Sequence, residues 1–362
     1  MKLGLNSTAL KIRYVFLAVI GMGNWTYSKA GVDLDMQRRL HEIALDTSSR
    51  INEVVSSKLG RMWGDLGGYS AWVAIDGLKL SAHIDGVGTK SLIASNLGRY
   101  QVIGWDAVII NVNDVVCSGI RPIALVDYIA MSYPDETVFK EIMKGLEEAA
   151  ITNDLIILGG ESAVINDLIR GVDVVCVVLG IKEFYREFKA SNGDVVFGLE
   201  SNGIHANGYS LVRKVIESTV GYNALFEGVK IGDELLKPVS NYGRIILESL
   251  SRNLISSAAH ITGGAFRKVR RIVKNDLDVV INTPKPPKIF EVLMKLGNIS
   301  TYEMYNVFNM GIGMVVTLPE DNVSEFKSIA HSQGVNVTEL GYVAKGRGRV
   351  VLNTYYGDVI EF

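Results

Sequence analysis

The segment HIDGVGTK, residues 83–90, combines an aspartate, a glycine turn and a lysine in a pattern that suits phosphate chemistry. Gly86 and Gly88 allow backbone amides to approach an anion closely, and Lys90 adds a positive charge. The carboxylate of Asp85 would repel a phosphate unless a cation lies between them. The segment is not a Walker A loop, because that motif requires GxxxxGK[ST]. The alternative interpretation is a tight turn that Asp85 caps.

Four further acidic or amide residues lie at the ends of apolar runs: Asp106, Asn113, Asp114 and Glu161. Spacings of seven and eight residues put the first three on one face of a helix. Buried carboxylates are unfavourable without a partner, and Mg²⁺ commonly joins carboxylates to nucleotide phosphates. The sequence therefore predicts a magnesium site formed by Asp85, Asp106, Asp114 and Glu161.

Two segments of the second half suit anion or substrate binding. In SNGIHANGYSLVRK, His205 precedes a predicted helix whose first residues, Asn207 to Ser210, offer free amides. In AHITGGAF, Thr262–Gly264 forms another amide-rich turn. A polar helix cap and a plain turn are the alternatives. The basic run FRKVRRIVK is most simply a solvated face, with a phosphate contact as the alternative.

Composition limits the class of protein. A chain of 362 residues is long enough for two domains, and its net charge of −2 gives no general attraction to nucleic acid or to a membrane. Cys117 and Cys176 lie in apolar runs, which favours buried free thiols in a reducing compartment over a disulfide. The apolar run at residues 14–22 is too short to span a bilayer, which takes about 20 residues. We expect Met22 to be the natural start; a signal peptide or a membrane anchor is the alternative.

The chain reads as α/β of the α+β type, with two mixed α/β domains at 26–183 and 184–362 after an extension over 1–25. Asp76-Gly77 predicts a hairpin between Ala71–Ile75 and Leu78–Ile84. The other predicted elements that bear on the site are helices at Asp33–Leu59, Asp106–Ser118, Lys237–Arg252 and Phe266–Val273, strands at Ile123–Met131, Leu155–Leu158, Val172–Ile181 and Val195–Leu199, and a loop followed by a strand over Glu303–Met314.

Taken in order, several motifs resemble one family, the aminoimidazole ribonucleotide synthetases (phosphoribosylformylglycinamidine cyclo-ligases) of purine biosynthesis. The matching stretches run from about Tyr27 to the C-terminus and are YSKAGVDLD, GDLGGYSA, DGVGTK, GWDAVIINVND, LVDYIA, LGGES, SNGIHANGYSLVRKV, AHITGGAF and EMYNVFNMGIGMVV. The chain departs from the family after Glu161, where it reads SAVIND in place of TAEMPG, and at Val239, where the family has threonine.

The resemblance implies a cytoplasmic, homodimeric enzyme that uses ATP and Mg²⁺ to close the imidazole ring of formylglycinamidine ribonucleotide, without a nucleic-acid or membrane partner. It implies catalytic roles for Lys90, Asp114 and His205. The implied nucleotide contacts are Gly67, Gly68, Asp85, Gly86, Val87, Gly88, Thr89, Lys90, Asp106, Asn113, Gly159, Gly160 and Glu161, with GDLGGYS as a lid. The implied substrate contacts are His205, Asn207, Gly208, Ser210, Thr262, Gly263 and Gly264.

Other classes remain as alternatives. An inactive nucleotide-binding paralogue would bind ATP without turnover, and the altered stretch after Glu161 motivates it. Selenophosphate synthetase would require a reactive cysteine near residues 64–70, which contain none, and the related hydrogenase maturation protein ends in a cysteine where this chain ends VIEF. Thiamin-phosphate kinase lacks the motifs of the second half, and formylglycinamidine ribonucleotide synthetase is normally much longer.

Overall fold

The computed structural model describes residues 24–362, so the predictions made for residues 1–23 lie outside the described part of the chain. Two separate sheets, each with its own helices, form the main body, as the mixed α/β prediction required. None of the helices in residues 24–362 is both long enough and apolar enough to cross a membrane.

The N-terminal sheet has six strands in the order β1-β2-β3-β6-β4-β5. All neighbours are antiparallel except β4 and β5. The elements are α1 (Leu34–Leu59), β1 (Trp63–Gly64), β2 (Trp72–Ile75), β3 (Leu78–Gly86), α2 (Lys90–Leu97), α3 (Gln101–Cys117), β4 (Ile120–Met131), α4 (Glu136–Thr152), β5 (Ile156–Val164) and β6 (Val172–Lys182).

The C-terminal sheet has seven strands in the order β10-β12-β7-β13-β11-β14-β15. Its elements are β7 (Val195–Glu200), α5 (Tyr209–Ser218), α6 (Ile231–Leu235), α7 (Gly243–Ser251), β10 (Ser257–His260), β11 (Leu277–Asn282), α8 (Lys288–Gly297), α9 (Thr301–Val307), β12 (Ile312–Leu318), α10 (Val323–Ser332), β13 (Val337–Lys345), β14 (Val350–Asn353) and β15 (Val359–Glu361). A small hairpin, β8 (Leu225–Phe226) and β9 (Val229–Lys230), and 3₁₀ helices at Ala265–Ile272 and Glu320–Asn322 complete it.

Helix α3, which carries most of the acidic candidates, is almost wholly buried from Ile103 to Cys117. It crosses α4 at a glycine contact. A Cβ on Gly104 would lie 2.0 Å from the carbonyl oxygen of Ile142, and one on Gly145 would lie 1.9 Å from that of Gln101. The two helices can approach this closely only because both positions are glycine.

Several local predictions are confirmed. The helix predicted over Asp33–Leu59 is α1, and Asp33 caps it through a carboxylate that accepts from the N–H groups of Asp35 and Met36. Asp76 and Gly77 both have positive φ, 49° and 84°, as a two-residue hairpin turn requires. However, α1 buries none of its residues, so the apolar side chains whose spacing predicted this helix do not pack into the core.

Three predicted elements are wrong in extent or type. The helix predicted over Lys237–Arg252 is confined to Gly243–Ser251. The loop predicted from Glu303 contains α9, which Ser300 caps by accepting from the Glu303 N–H. The helix predicted at Phe266–Val273 is a 3₁₀ helix from Ala265 to Ile272.

Candidate functional site

Asp114 near the end of α3 is the centre of the site. It is a buried residue whose carboxylate accepts a hydrogen bond of 2.8 Å from His260 Nδ1, at the end of β10 in the C-terminal sheet. Its other oxygen lies 3.3 Å from His83 Nε2 on β3. Burial alone would raise the pKa of Asp114. The hydrogen bond from His260 and the charges of His83 and Lys268 outweigh burial and lower that pKa to about 2. Asp114 is therefore a carboxylate at neutral pH.

His83 is oriented by Asn111, a buried residue one turn before Asp114. The Asn111 amide nitrogen donates to the carbonyls of Ala107 and Asp85, so its oxygen faces His83 Nδ1 at 2.7 Å and accepts from it. His83 thus lies between the Asn111 oxygen and the Asp114 carboxylate, one on each ring nitrogen. His83, Asn111 and His260 were not among the site residues predicted from the sequence.

Asp85 lies two residues after His83 and therefore on the same face of β3. Among residues 24–362 it accepts one hydrogen bond, from the Gly86 N–H at 2.8 Å. Asp85 is exposed at the edge of the site, and desolvation by its neighbours together with the negative charge of Asp114 raises its pKa. A carboxylate short of partners beside a second carboxylate is a donor set that a divalent cation would stabilise.

The glycine turn after Asp85 leads into α2 at Thr89. The Val87 N–H bonds to the carbonyl of Val174, which fixes the turn to β6, and Gly88 has φ of 63°. Thr89 Oγ1 lies 3.4 Å from Ser210 Oγ in the first turn of α5. The structure thus brings the DGVGTK turn together with the ANGYS segment of the other half of the chain.

Lys90 and Asp106 form a fully buried ion pair. Lys90 Nζ lies 2.6 Å from Asp106 Oδ2, and both side chains are 0% exposed. The ammonium also donates to the Lys237 carbonyl, and Asp106 Oδ1 accepts from the Val239 N–H. In this arrangement neither residue presents a free charge to a ligand. Their observed contacts hold α2 and α3 against residues 237–239.

Asn113 fixes the next part of the same segment. Its amide oxygen accepts from the Tyr242 N–H, and its nitrogen donates to the carbonyl of Ser240. That nitrogen also lies 3.5 Å from His260 Nε2, so Asn113 contacts the imidazole that is bonded to Asp114. The polar residues of α3 thus bind residues 237–242 and prevent the predicted helix from starting at Lys237.

His205 is buried at 3% exposure with a φ of 66°, a left-handed backbone conformation that is uncommon outside glycine. The Ser240 N–H donates to its Nε2 at 3.4 Å, so the proton lies on Nδ1. That Nδ1 is buried and has no hydrogen-bond partner within the described part of the chain. Burial, with a smaller contribution from the positive charge of Lys90, holds the pKa of His205 well below its ordinary value. His205 is therefore a neutral imidazole with an unused donor.

The remaining substrate candidates lie beside these groups. A Cβ on Gly263 would meet Asn207 Oδ1 at 3.4 Å, so the ANGYS segment and the TGG turn are in contact. Gly208 and Gly264 have φ of 79° and 85° at the starts of α5 and of the 3₁₀ helix. Thr262 is 7% exposed and follows His260 by two residues.

The glycine loop over residues 64–70 reaches the same region through Tyr69. The Tyr69 hydroxyl donates to the carbonyls of His260 and Lys268, at 3.4 and 3.5 Å. Lys268 is half-buried and makes no ion pair in residues 24–362. The charges of Asp114 and Asp85 both act on its pKa, which burial lowers. The loop that carries Gly67 and Gly68 is thus anchored beside the Asp114–His260 pair.

Glu161, Gly159 and Gly160 lie elsewhere. They belong to the edge strand β5, where the register aligns Glu161 with Tyr128, Val175 and Gly86, and Gly160 with Asp127, Cys176 and Asp85. Side chains alternate between faces, so Glu161 points away from the face that carries Asp85. Within residues 24–362, no three His, Cys, Asp or Glu side chains converge as a metal site. The four carboxylates predicted to share a metal therefore do not meet within one chain.

Comparison with known proteins defines the class. The models described as AIR synthase related protein, N-terminal domain and C-terminal domain, match residues 67–182 and 191–353. Two mixed α/β halves that meet at an acidic, glycine-rich site are thus an AIR synthase-related pair of domains. A phosphoribosylformylglycinamidine cyclo-ligase of Saccharolobus solfataricus is 41% identical over 92% of this chain and 98% of its own length. That of Pyrococcus furiosus is 37% identical over 91% and 98%. The chain belongs to the phosphoribosylformylglycinamidine cyclo-ligase family.

Solved structures agree on the fold. A thiamine-monophosphate kinase from Stenotrophomonas maltophilia aligns with a TM-score of 0.58 at 16% identity, covering 86% of this chain and 95% of its own. Phosphoribosylformylglycinamidine synthase II from Thermotoga maritima aligns with a TM-score of 0.52 at 16% identity, covering 79% and 43%. At these identities the likeness concerns the fold alone.

Proposed function

We propose that this protein is a cytoplasmic ATP-dependent cyclo-ligase that converts formylglycinamidine ribonucleotide, ATP and Mg²⁺ into aminoimidazole ribonucleotide, ADP and phosphate. The observation that carries the proposal is the Asp114–His260 hydrogen bond. It joins the acidic helix of the first half to the TGG turn of the second half, beside the glycine turn of Asp85. The family relationship supplies the reaction, and this junction supplies a place for two substrates to meet.

The reaction requires an activated oxygen. The formyl oxygen of the substrate attacks the γ-phosphorus of ATP, and ADP leaves. An amidine nitrogen then attacks the activated carbon, and phosphate departs as the ring forms. Negative charge develops on oxygen in both steps, so donors aimed at those atoms lower the barrier. The neutral His205, with its unused Nδ1–H, is such a donor.

Asp85 is the residue whose environment best fits a magnesium ion, since its carboxylate is short of partners and its pKa is raised. The ion would screen the phosphate charge that Asp85 and Asp114 otherwise repel. The amides of Gly86, Val87, Gly88 and Thr89 would hold phosphate oxygens beside it. Asp114 would keep His260 and His83 oriented around the reacting groups.

We assign Lys90 and Asp106 to positioning. A direct phosphate contact would require the Lys90 ammonium to leave a fully buried pair, which is unfavourable for the carboxylate left behind. Asn113 acts similarly through residues 240–242. The substrate-side contacts that we propose are His205, Asn207, Gly208, Ser210, Thr262, Gly263 and Gly264.

We propose a homodimer built on the outer face of the N-terminal sheet. Several apolar side chains on this face are exposed: Ile84 at 65%, Tyr128 at 37% and Ile156 at 67%. The register shows that they share one face, opposite the buried α3. A second copy that covered it would also cover Glu161. We therefore propose that Glu161, Gly159 and Gly160 contact nucleotide across that interface.

The experiment is an assay of the purified protein with formylglycinamidine ribonucleotide and Mg-ATP, in which the aminoimidazole product is detected by diazo coupling. The proposal requires product only when both substrates and Mg²⁺ are present. Folded protein that binds ATP but yields no product would contradict it and would favour an inactive nucleotide-binding paralogue.

A further inference from the structure

A second cavity adjoins the site on the side of the glycine loop. It has a volume of about 420 Å³, and its walls include Gly67, Gly68, Tyr69, Arg186 and Arg271. Cys117 also lines it, one helical turn after Asp114. The cavity therefore begins where the Asp114–His260 site ends, and Tyr69 lies between the two.

The cavity carries an excess of positive charge. Its cationic side chains are those of Lys182, Arg186, Lys189 and Arg271, and its acidic ones are those of Asp65 and Glu187. Lys182 is paired with Asp65 at 2.5 Å, and Glu187 lies 3.6 Å from Lys274, outside the cavity. The other three cations make no ion pair within residues 24–362. An anionic ligand would therefore be attracted to it.

The cations are held in place by contacts that leave their charge uncompensated. Arg186 donates from Nη2 to the carbonyl of Ile255, but its buried Nε–H has no acceptor in the described part of the chain. Lys189 donates to the carbonyl of Arg271. The Arg271 guanidinium lies 4.8 Å from the ring centroid of Tyr69. A buried donor without an acceptor is unfavourable unless a ligand supplies one.

Guanidinium groups in a fixed orientation match the paired oxygens of a phosphate. We infer that this cavity binds the phosphate monoester of the ribonucleotide substrate, an inference that rests on the proposed function. The phosphate would lie among Arg186, Lys189 and Arg271, and the ribose would pass Tyr69 toward Asp114. The triphosphate of ATP would bind separately at the glycine turn of Asp85.

The test begins with equilibrium titration of ribose 5-phosphate into the wild-type protein and into the Arg186→Gln, Lys189→Gln and Arg271→Gln variants. Arg270→Gln is the matched control, because Arg270 is exposed on the same 3₁₀ helix and does not line the cavity. A charge-assisted hydrogen bond typically changes affinity about 10- to 100-fold, and we expect losses of that size in the first three variants only. Lys189→Gln guards against misfolding, because Lys189 contributes a single backbone contact.

Steady-state kinetics then identify which phosphate binds. We expect KM for the ribonucleotide to rise about tenfold or more in the cavity variants, with KM for ATP unchanged. A rise in KM for ATP alone would overturn the assignment to the substrate, as would ribose 5-phosphate binding that is absent or equal in all proteins. Cavity-dependent binding of ribose 5-phosphate by a protein without cyclo-ligase activity would support the phosphate site and overturn the proposed function instead.

Discussion

His260 donates a 2.8 Å hydrogen bond from Nδ1 to Asp114, and this contact joins residues that are 146 positions apart in the chain. One partner ends a strand of the C-terminal sheet, and the other lies in the buried helix α3. Both side chains are almost fully buried, at 1% and 6% exposure. The protonation state of Asp114 therefore affects both the stability of the fold and the geometry of the site.

We predict that Asp114→Asn lowers the free energy of unfolding at neutral pH by about 2 kcal/mol, because a pKa of about 2 against an ordinary 3.8 corresponds to roughly that much. A carboxylate whose pKa is lower in the folded state than in the unfolded state stabilises the fold at pH values above the unfolded-state pKa. This stabilisation is lost as pH falls through the folded-state pKa. The difference between wild type and variant should thus shrink between about pH 4 and pH 2. Urea unfolding of both proteins without ligand, across this pH range, measures the difference. Asp46→Asn, at an exposed position, is the control; a pH-independent difference for Asp114→Asn would refute the prediction.

Because Lys90 and Asp106 form a buried ion pair, substitutions of these two residues should have strongly non-additive effects on stability. Lys90→Met should destabilise the fold by about 3–5 kcal/mol, because Asp106 is left buried without its cation. Replacing both, as Lys90→Met with Asp106→Leu, should restore part of that loss. Lys140→Met, at an exposed ion pair, should change stability by less than about 1 kcal/mol. Denaturant titration of the wild type, Lys90→Met, Asp106→Leu, the double variant and Lys140→Met decides the matter, and additive effects of the two buried substitutions would argue against it.

His205 should also make stability depend on pH, but for a different reason: it stays neutral in the folded protein, whereas Asp114 stays charged. Burial keeps its pKa well below the ordinary value of 6.5, so the unfolded chain takes up a proton that the folded chain does not. Stability from this residue is present above the unfolded-state pKa and is lost as pH falls below it. Relative to His205→Asn, the wild type should lose up to about 1.4 kcal/mol per pH unit below about pH 6. Chemical unfolding of both proteins from pH 7.5 to 5 measures this. Parallel curves would show that His205 titrates normally.

The left-handed backbone conformation of His205 predicts a difference in stability between two substitutions at this position. Because φ is 66°, alanine should be less favourable here than asparagine, which tolerates the left-handed region, by about 1 kcal/mol. The same unfolding measurement at pH 7.5 compares the two variants. Equal stability of His205→Ala and His205→Asn would mean that the positive φ is relaxed in solution.

The apolar outer face of the N-terminal sheet predicts a dimer that charge can break. A glutamate in place of Ile84 or Ile156 should give monomers, because a desolvated charge would lie within the interface. Leu225→Glu is the matched control, since Leu225 is equally exposed at 68% but lies on the small hairpin. Sedimentation velocity distinguishes these outcomes. A wild-type monomer, or dimers in all variants, would exclude this face as the interface.

Local signals made much of the fold predictable. The hairpin at Asp76-Gly77 and the cap at Asp33 depend on neighbouring residues alone. The signal for α9 was also present, because Ser300 and Glu303 have the spacing of a helix cap, and it was missed. Residues 237–242 could not be predicted in this way, because α3 binds their backbone across more than 120 residues of sequence.

The sequence identified several residues of the site, but it did not predict the contacts between them. Motif spacing identified Asp85, Asp114 and His205, but Lys90 and Asp106 proved to bind each other. His83 and His260 were missed. His83 lies two residues before Asp85 within β3 and thus shares its face, whereas His260 is the last residue of its strand and gave no such signal. The position of Glu161 depends on strand register, which the sequence does not reveal for a strand interrupted by two glycines.

The most direct measurement follows ADP and the aminoimidazole product in one reaction, with wild type and Asp85→Asn at saturating substrates. We predict equal amounts of ADP and imidazole from the wild type. We also predict a loss of activity of at least about 100-fold in Asp85→Asn, since this carboxylate is the proposed metal ligand and not a structural contact. The two proteins should have closely similar unfolding midpoints. ADP release without imidazole, or full activity of Asp85→Asn, would contradict the proposed ring closure at this site.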